Sequence, residues 1–232
     1  MLLEVCCGNL ESVDAAVAGG ARRIELCSAL EVDGLTPPAE WIREARRRYP
    51  SLTIHVLVRP RAGNFVYTPE EIERTASQEE EALEAGADGI VIGCLTEESD
   101  VDEPALRRLM QVVDEWNLVT GKRVTVTFHR AFDRCRWPFD ALERIISLGC
   151  DRILTSGQGE TVVDGSDMLR ELRKRAAGRI ILLPGGGVTP KNAGQILSRT
   201  GCTEIHASAS ETIDGKKVTS AAKVAAILNA IQ

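Results

Sequence analysis

Gly20-Ala21-Arg22-Arg23-Ile24-Glu25-Leu26-Cys27 joins a helix stop to a strand. A glycine free to turn left-handed ends a helix. Ile24 and Leu26 then alternate with Glu25 and Cys27, the two-residue period of a strand with one apolar face. The same Gly-to-Ile spacing returns at Gly86–Ile90, Gly149–Ile153 and Gly201–Ile205. The intervals of 66, 63 and 52 residues each hold about two strand–helix units. Four double units predict a TIM-type (β/α)8 barrel. An open doubly wound sheet gives no reason for a repeat that closes at eight.

The rest of the chain fits this frame. β-rich runs stand at Leu2–Cys6, Arg23–Cys27, Thr53–Arg59, Gly89–Gly93, Val124–His129, Arg152–Ser156, Ile180–Pro184 and Glu204–Ser208. Thr36-Pro37, Thr68-Pro69 and Thr189-Pro190 each offer a capping threonine before a proline at the first helical position, and Glu71 completes a capping box with Thr68. No linker or low-complexity tract intervenes, so residues 1–232 read as one α/β domain.

Composition narrows the function. The chain has 28 basic and 34 acidic residues, a net charge of −6, and 44% apolar residues, the balance of a globular protein. No apolar run approaches the roughly 18 residues that span a bilayer, and with no basic segment or cleavage site before the first strand-like run, no secretory signal is expected. The acidic balance argues against a nucleic-acid partner, and Arg46-Arg47-Arg48 is too short to reverse it. Seven cysteines, an odd number with no CxxC pair, read as reduced thiols in the cytoplasm. Neither a GxGxxG nor a P-loop is present, so no nucleotide cofactor is expected.

Strand parity selects the interior. If Val124, Val126 and Phe128 face the helices, Thr125, Thr127 and His129 face the lumen. The same rule turns Glu4 and Cys6, Glu25 and Cys27, His55, Leu57, Arg59 and Arg61, and His206 and Ser208 inward. Burying this many ionisable groups is costly unless they are paired, and such clusters favour function. Groups at the C-terminal strand ends lie where barrel enzymes work, whereas His55 and Glu204 lie lower and read as structural. Glu4, Glu25 and His129 are candidates for acid–base catalysis. Arg59, Arg61 and Arg130 are candidate clamps for an anionic substrate, and Asp133 would orient His129 or pair with Arg130. Gly185-Gly186-Gly187 follows the seventh strand and Ala207–Ser210 the eighth, the usual places for a phosphate. Ser156, Gly185, Gly187, His206 and Ser208 complete the substrate-binding candidates. Trp41 or Trp116 on a helix face would serve self-association into a homo-oligomer.

Glu4-Val5-Cys6, Arg23-Ile24-Glu25-Leu26-Cys27, Gly34-Leu35-Thr36-Pro37, Arg59-Pro60-Arg61, Phe65-Val66-Tyr67 and Phe128-His129-Arg130-Ala131-Phe132-Asp133 resemble the CutC copper homeostasis family. Arg152-Ile153-Leu154-Thr155-Ser156-Gly157 and His206-Ala207-Ser208-Ala209 extend the likeness. Ala207 and Asp33 stand where the family usually has glycine. The resemblance implies a TIM-type barrel, a cytoplasmic location and copper handling, with Cu(I) held by a cysteine pair that maps onto Cys6 and Cys27. Soft thiolates select Cu(I), and Arg59 or Arg61 nearby would favour the thiolate. Cys7 points the other way from Cys6. A zinc site from His129, His206 and Glu25 is a weaker reading. Copper handling leads, and an enzyme acting on a small phosphorylated or carboxylated substrate is the alternative.

Overall fold

The computed structural model describes residues 1–213 and 216–232. Strands and helices alternate as β1 (Leu2–Cys7), α1 (Leu10–Ala18), β2 (Arg23–Leu26), α2 (Ala39–Arg48), β3 (Thr53–Leu57), α3 (Pro69–Glu84), β4 (Gly89–Ile92) and α4 (Glu103–Thr120). They continue as β5 (Thr125–Phe128), α5 (Pro138–Ser147), β6 (Arg152–Thr155), α6 (Ser166–Ala176), β7 (Ile181–Pro184), α7 (Ala193–Thr200) and β8 (Glu204–Ala207). A hairpin of β9 (Ser210–Ile213) and β10 (Lys216–Thr219) precedes α8 (Ala221–Ala230). Strands β1 to β7 pair in chain order, all parallel, and β8 returns to pair with β1. The result is a nearly closed TIM-type barrel, so the open-sheet alternative does not hold.

The repeat has a physical cause. Gly20, Gly86, Gly149 and Gly201 all have positive φ, between 71° and 105°, and each isoleucine is the second residue of an even-numbered strand. Asp88 and Asp151, two residues past their glycines, accept the backbone N–H groups of Ile54 and Val126, both at 2.8 Å. Each aspartate thereby ties one strand to its neighbour.

Of the three threonine–proline starts, only the one at α3 caps its helix. There the Glu71 N–H donates to Thr68 Oγ1 and the Thr68 N–H donates to the Glu71 carboxylate. Thr36 is not a cap: its hydroxyl donates to the Arg59 carbonyl at 3.1 Å and accepts the Arg59 N–H at 2.9 Å, and α2 starts later, at Ala39. Thr189 likewise precedes α7 by a turn, its N–H donating to Asn192 Oδ1 at 2.7 Å. Thr36 thereby ties its loop to the segment after β3, whereas the Thr189 contact stays within its own turn.

The outward strand faces, among them Val5, Ile24, Ile54, Ile90, Phe128 and Ile205, are fully buried beneath the helices. Each such burial contributes about 1.5–3 kcal/mol, and this layer is the main hydrophobic core. Trp41 and Trp116 pack against that core, and the exposed tryptophan is Trp137. Among the described residues no helix is long and apolar enough to cross a membrane.

Inward parity holds for Glu4, Cys6, Glu25, Cys27, His55 and His206, whose side chains meet across the lumen. It fails at two positions beyond the strand ends. Arg61 lies outside, its Nε 2.5 Å from Glu71 Oε1 and its guanidinium stacked over Tyr67. Ser208 is exposed, within hydrogen-bond distance of the Ser210 hydroxyl. Once the chain leaves the ladder, the two-residue alternation no longer constrains it.

Candidate functional site

The lower lumen is a closed ionic network. Glu204 pairs with Arg23, and Arg152 Nε approaches the same oxygen at 2.9 Å. Above it, Glu4 has no solvent exposure. Its Oε2 lies 2.8 Å from both Arg23 Nε and His55 Nδ1, and its Oε1 lies 2.9 Å from His206 Nδ1. Burial pushes the Glu4 carboxyl up, but His55, His206 and Arg23 outweigh burial and hold it well below the ordinary range. The geometry makes Glu4 a buried anion that orients His206, with no open face for a substrate. Gly89 supplies the room: a Cβ there would stand 2.6 Å from the His55 ring.

At the mouth, the Cys6 and Cys27 sulfurs lie 3.8 Å apart, beside Leu57 and Val91. Cys6 stands opposite Glu25 in the β1–β2 ladder, so Cys27 is two residues higher, and the side chains close the difference. The Cys27 thiol also donates to the Cys7 carbonyl at 3.5 Å, while Cys7 itself is buried in the helix-side core. His206 Nε2 faces Glu25 Oε2 at 3.7 Å. Donor atoms of Cys6, Glu25 and His206 all lie within 4.8 Å of one another, a set that fits a metal ion.

The electrostatics correct one expectation. The hydrogen bond to Cys27, then burial and the charge of Glu25, push the Cys6 thiol well above its ordinary range. Neither Arg59 nor Arg61 activates it. Burial also raises the Glu25 carboxyl, with His206 opposing. Burial opposes charge on His206, but Glu25, Cys6 and Glu4 prevail and raise it well above the usual value.

The other candidates stand just past the ends of β3, β5, β6 and β7. Arg59 is 4% exposed, and its terminal nitrogens donate to the carbonyls of Val32, Gly34 and Gly63 at 2.9–3.1 Å. It stitches two loops together, and its Nε has no hydrogen-bond partner among the described residues. His129 packs against Phe65 and over Gly93, and its Nδ1 accepts the Ala131 N–H at 3.2 Å. Burial, then Arg59, lowers its pKa to about 3, so the ring is neutral and its buried Nε2 carries the proton without a partner. His129 therefore takes no part in the Glu25–His206 cluster, and the zinc set expected from it is replaced by one that uses Cys6.

Asp133 does not orient His129. It pairs with Arg130 Nε at 2.8 Å and accepts from the Thr155 hydroxyl and the Ser156 and Gln158 N–H groups, ordering the loop after β6. Arg130 also donates to Ser156 Oγ at 3.2 Å and lies over Gly186. Gly186 and Gly187 have φ of 101° and 80°, and a Cβ on Gly185 would stand 2.6 Å from Leu154. The glycines are thus required by a tight turn at the lumen edge. Asp33, one of the two departures from the family pattern, adopts φ of 66°, the conformation glycine prefers; Ala207 is an ordinary β8 residue.

The CutC family model matches residues 1–211. The chain belongs to the CutC family. A CutC family protein of Bacteroides fragilis is 47% identical over 212 residues, covering 91% of this chain and 81% of the relative. One from Vibrio campbellii is 43% identical over 210 residues, covering 90% and 82%. A crystal structure from Streptococcus agalactiae, described as a copper homeostasis protein CutC, is 29% identical, with a TM-score of 0.83 over 90% of this chain and 98% of that one. The CutC likeness therefore spans the barrel and the whole thiol–carboxylate–imidazole cluster.

Arg23 and Arg152 are absent from the candidates drawn from sequence, although parity finds both: each precedes an outward isoleucine. The grouping of Glu25 and His206 with Cys6 was not legible, because it depends on the β1–β8 closure.

Proposed function

We propose that this protein takes part in copper homeostasis by holding Cu(I) through Cys6 and Cys27 at the barrel mouth. The observation that carries this reading is the pair of thiols 3.8 Å apart, in a chain of a family that includes a protein described as a copper homeostasis protein. Thiolates are the ligands soft Cu(I) prefers. The raised Cys6 thiol is protonated at neutral pH, so loading expels protons. All seven cysteines are free, which suits a reducing cytoplasm. Replacing Cys6 and Cys27 together by Ser abolishes stoichiometric Cu(I) binding, measured anaerobically against a competing chelator. Undiminished stoichiometry in that variant overturns the reading.

A second reading, an enzyme acting on a small anionic substrate, rests on Arg59. It is a buried cation with no carboxylate partner among the described residues, beside His129 with its own unpartnered buried nitrogen. Buried charge without a partner is costly, and a ligand carboxylate or phosphate would offset it. Arg130 and Ser156, with the turn at Gly185 and Gly187, border the same mouth. Inorganic phosphate or oxalate at millimolar concentration then raises the melting temperature, and Arg59→Lys removes the rise while retaining the native circular dichroism. No rise with either anion in the wild type contradicts it.

A further inference from the structure

The thiol pair is not spaced for two-coordinate copper. Two metal–sulfur bonds of about 2.3 Å laid end to end put the sulfurs about 4.6 Å apart. The observed 3.8 Å corresponds to an S–metal–S angle of about 110° with the same bond length. An angle that far from linear leaves the ion open to a third donor.

Two side chains stand beside Cys6 for that position: its sulfur, a Glu25 oxygen and a His206 nitrogen lie within 4.8 Å of one another, a set that does not include Cys27. Their chemistry separates them. Imidazole suits copper, whereas carboxylate suits harder cations. The surroundings of His206 point the same way. Its Nδ1 lies 2.9 Å from Glu4 Oε1, and Glu4 is itself fixed by Arg23 and His55, both at 2.8 Å. A carboxylate on one ring nitrogen, aiming the other at the ion, is the usual support of a metal-ligating histidine. The nitrogen left free, Nε2, faces the Glu25 side of the cluster.

We propose that His206 Nε2 is the third ligand of a Cys6–Cys27–His206 site for Cu(I), with Glu4 as its positioning residue. This rests on the thiol reading above and deepens it. The Glu4 carboxylate, which seals the lumen below, would then also set the imidazole above it, so the ionic network and the mouth form one device.

The test is X-ray absorption at the copper edge of the Cu(I)-loaded wild-type protein, with chelator competition on variants. The expected spectrum has two sulfur scatterers and one nitrogen scatterer with the outer-shell features of imidazole. His206→Ala, or His206→Asn should the first fail to fold, loses those features and binds about 10–100-fold more weakly while keeping one copper per chain. Glu4→Gln keeps the imidazole signature and weakens binding by about tenfold. A wild-type spectrum with sulfur alone, or unchanged affinity in the folded His206 variants, overturns the third ligand while leaving the thiol pair in place. Loading that survives in the Cys6/Cys27 double Ser variant overturns the thiol pair first, and this inference with it.

Discussion

Glu4→Ala lowers the unfolding free energy at pH 7 by about 3–5 kcal/mol, the cost of removing one partner from a buried ionic cluster. Glu4 is fully buried and touches Arg23, His55 and His206 at 2.8–2.9 Å. Its loss leaves two histidines facing each other across the space it occupied. Arg23 is then left with Glu204, which it already shares with Arg152. The pH dependence has a definite sign. The folded-state pKa lies well below the ordinary carboxylate value, so the stabilisation is complete above the unfolded-state pKa of about 4.3. It is lost as the pH falls through the folded-state value. Urea unfolding therefore shows a wide gap between wild type and variant at pH 7 and a narrower one at pH 3. A gap under about 1 kcal/mol at pH 7 contradicts the assignment of Glu4 as the hub.

Glu79→Leu acts in the opposite direction and stabilises the protein at neutral pH by about 1–3 kcal/mol, the penalty of burying a polar group without a partner. Glu79 lies on α3 where it packs on α4, with no exposure, and both carboxyl oxygens are buried without a hydrogen-bond partner among the described residues. Arg108, the nearest cation across the seam, is engaged with Glu73 at 2.7 Å. Burial lifts the Glu79 carboxyl well above its ordinary range. A raised folded-state pKa leaves the contribution intact below the unfolded-state value of about 4.3 and removes it as the pH rises toward the folded-state value. The advantage of Leu is accordingly larger at pH 7.5 than at pH 4 in denaturant titrations. Destabilisation at pH 7.5 means that Glu79 has a partner the described contacts do not reveal.

The barrel was legible because its strands obey short-range rules. Gly20 and its three counterparts must adopt positive φ, and Ile24, Ile90, Ile153 and Ile205 must face the helices, so spacing alone gives strand count and facing. The interior sets at Glu4/Cys6 and Glu25/Cys27 follow from the same alternation. Legibility ended with the ladder. Arg61 and Ser208 lie past strand ends, where loop geometry and nearby partners decide direction. Thr36-Pro37 carries the same local signal as Thr68-Pro69, yet its hydroxyl is taken by the Arg59 backbone from a different unit. The thiol environment departs from expectation for a related reason. Arg59 spends its donors on loop carbonyls, and what reaches Cys6 is the neighbouring sulfur and Glu25. Glu79 gave no warning, since a glutamate on a helix reads as surface until α4 covers it.

Copper is proposed to sit at the Cys6–Cys27 pair at the barrel mouth. The most direct measurement is a crystal structure of the protein loaded anaerobically with Cu(I), with anomalous data collected on both sides of the copper edge. The expected result is a single strong anomalous peak within bonding distance of both Cys6 Sγ and Cys27 Sγ, on the side of His206. A peak elsewhere, or none at this pair in protein that retains stoichiometric copper, contradicts it.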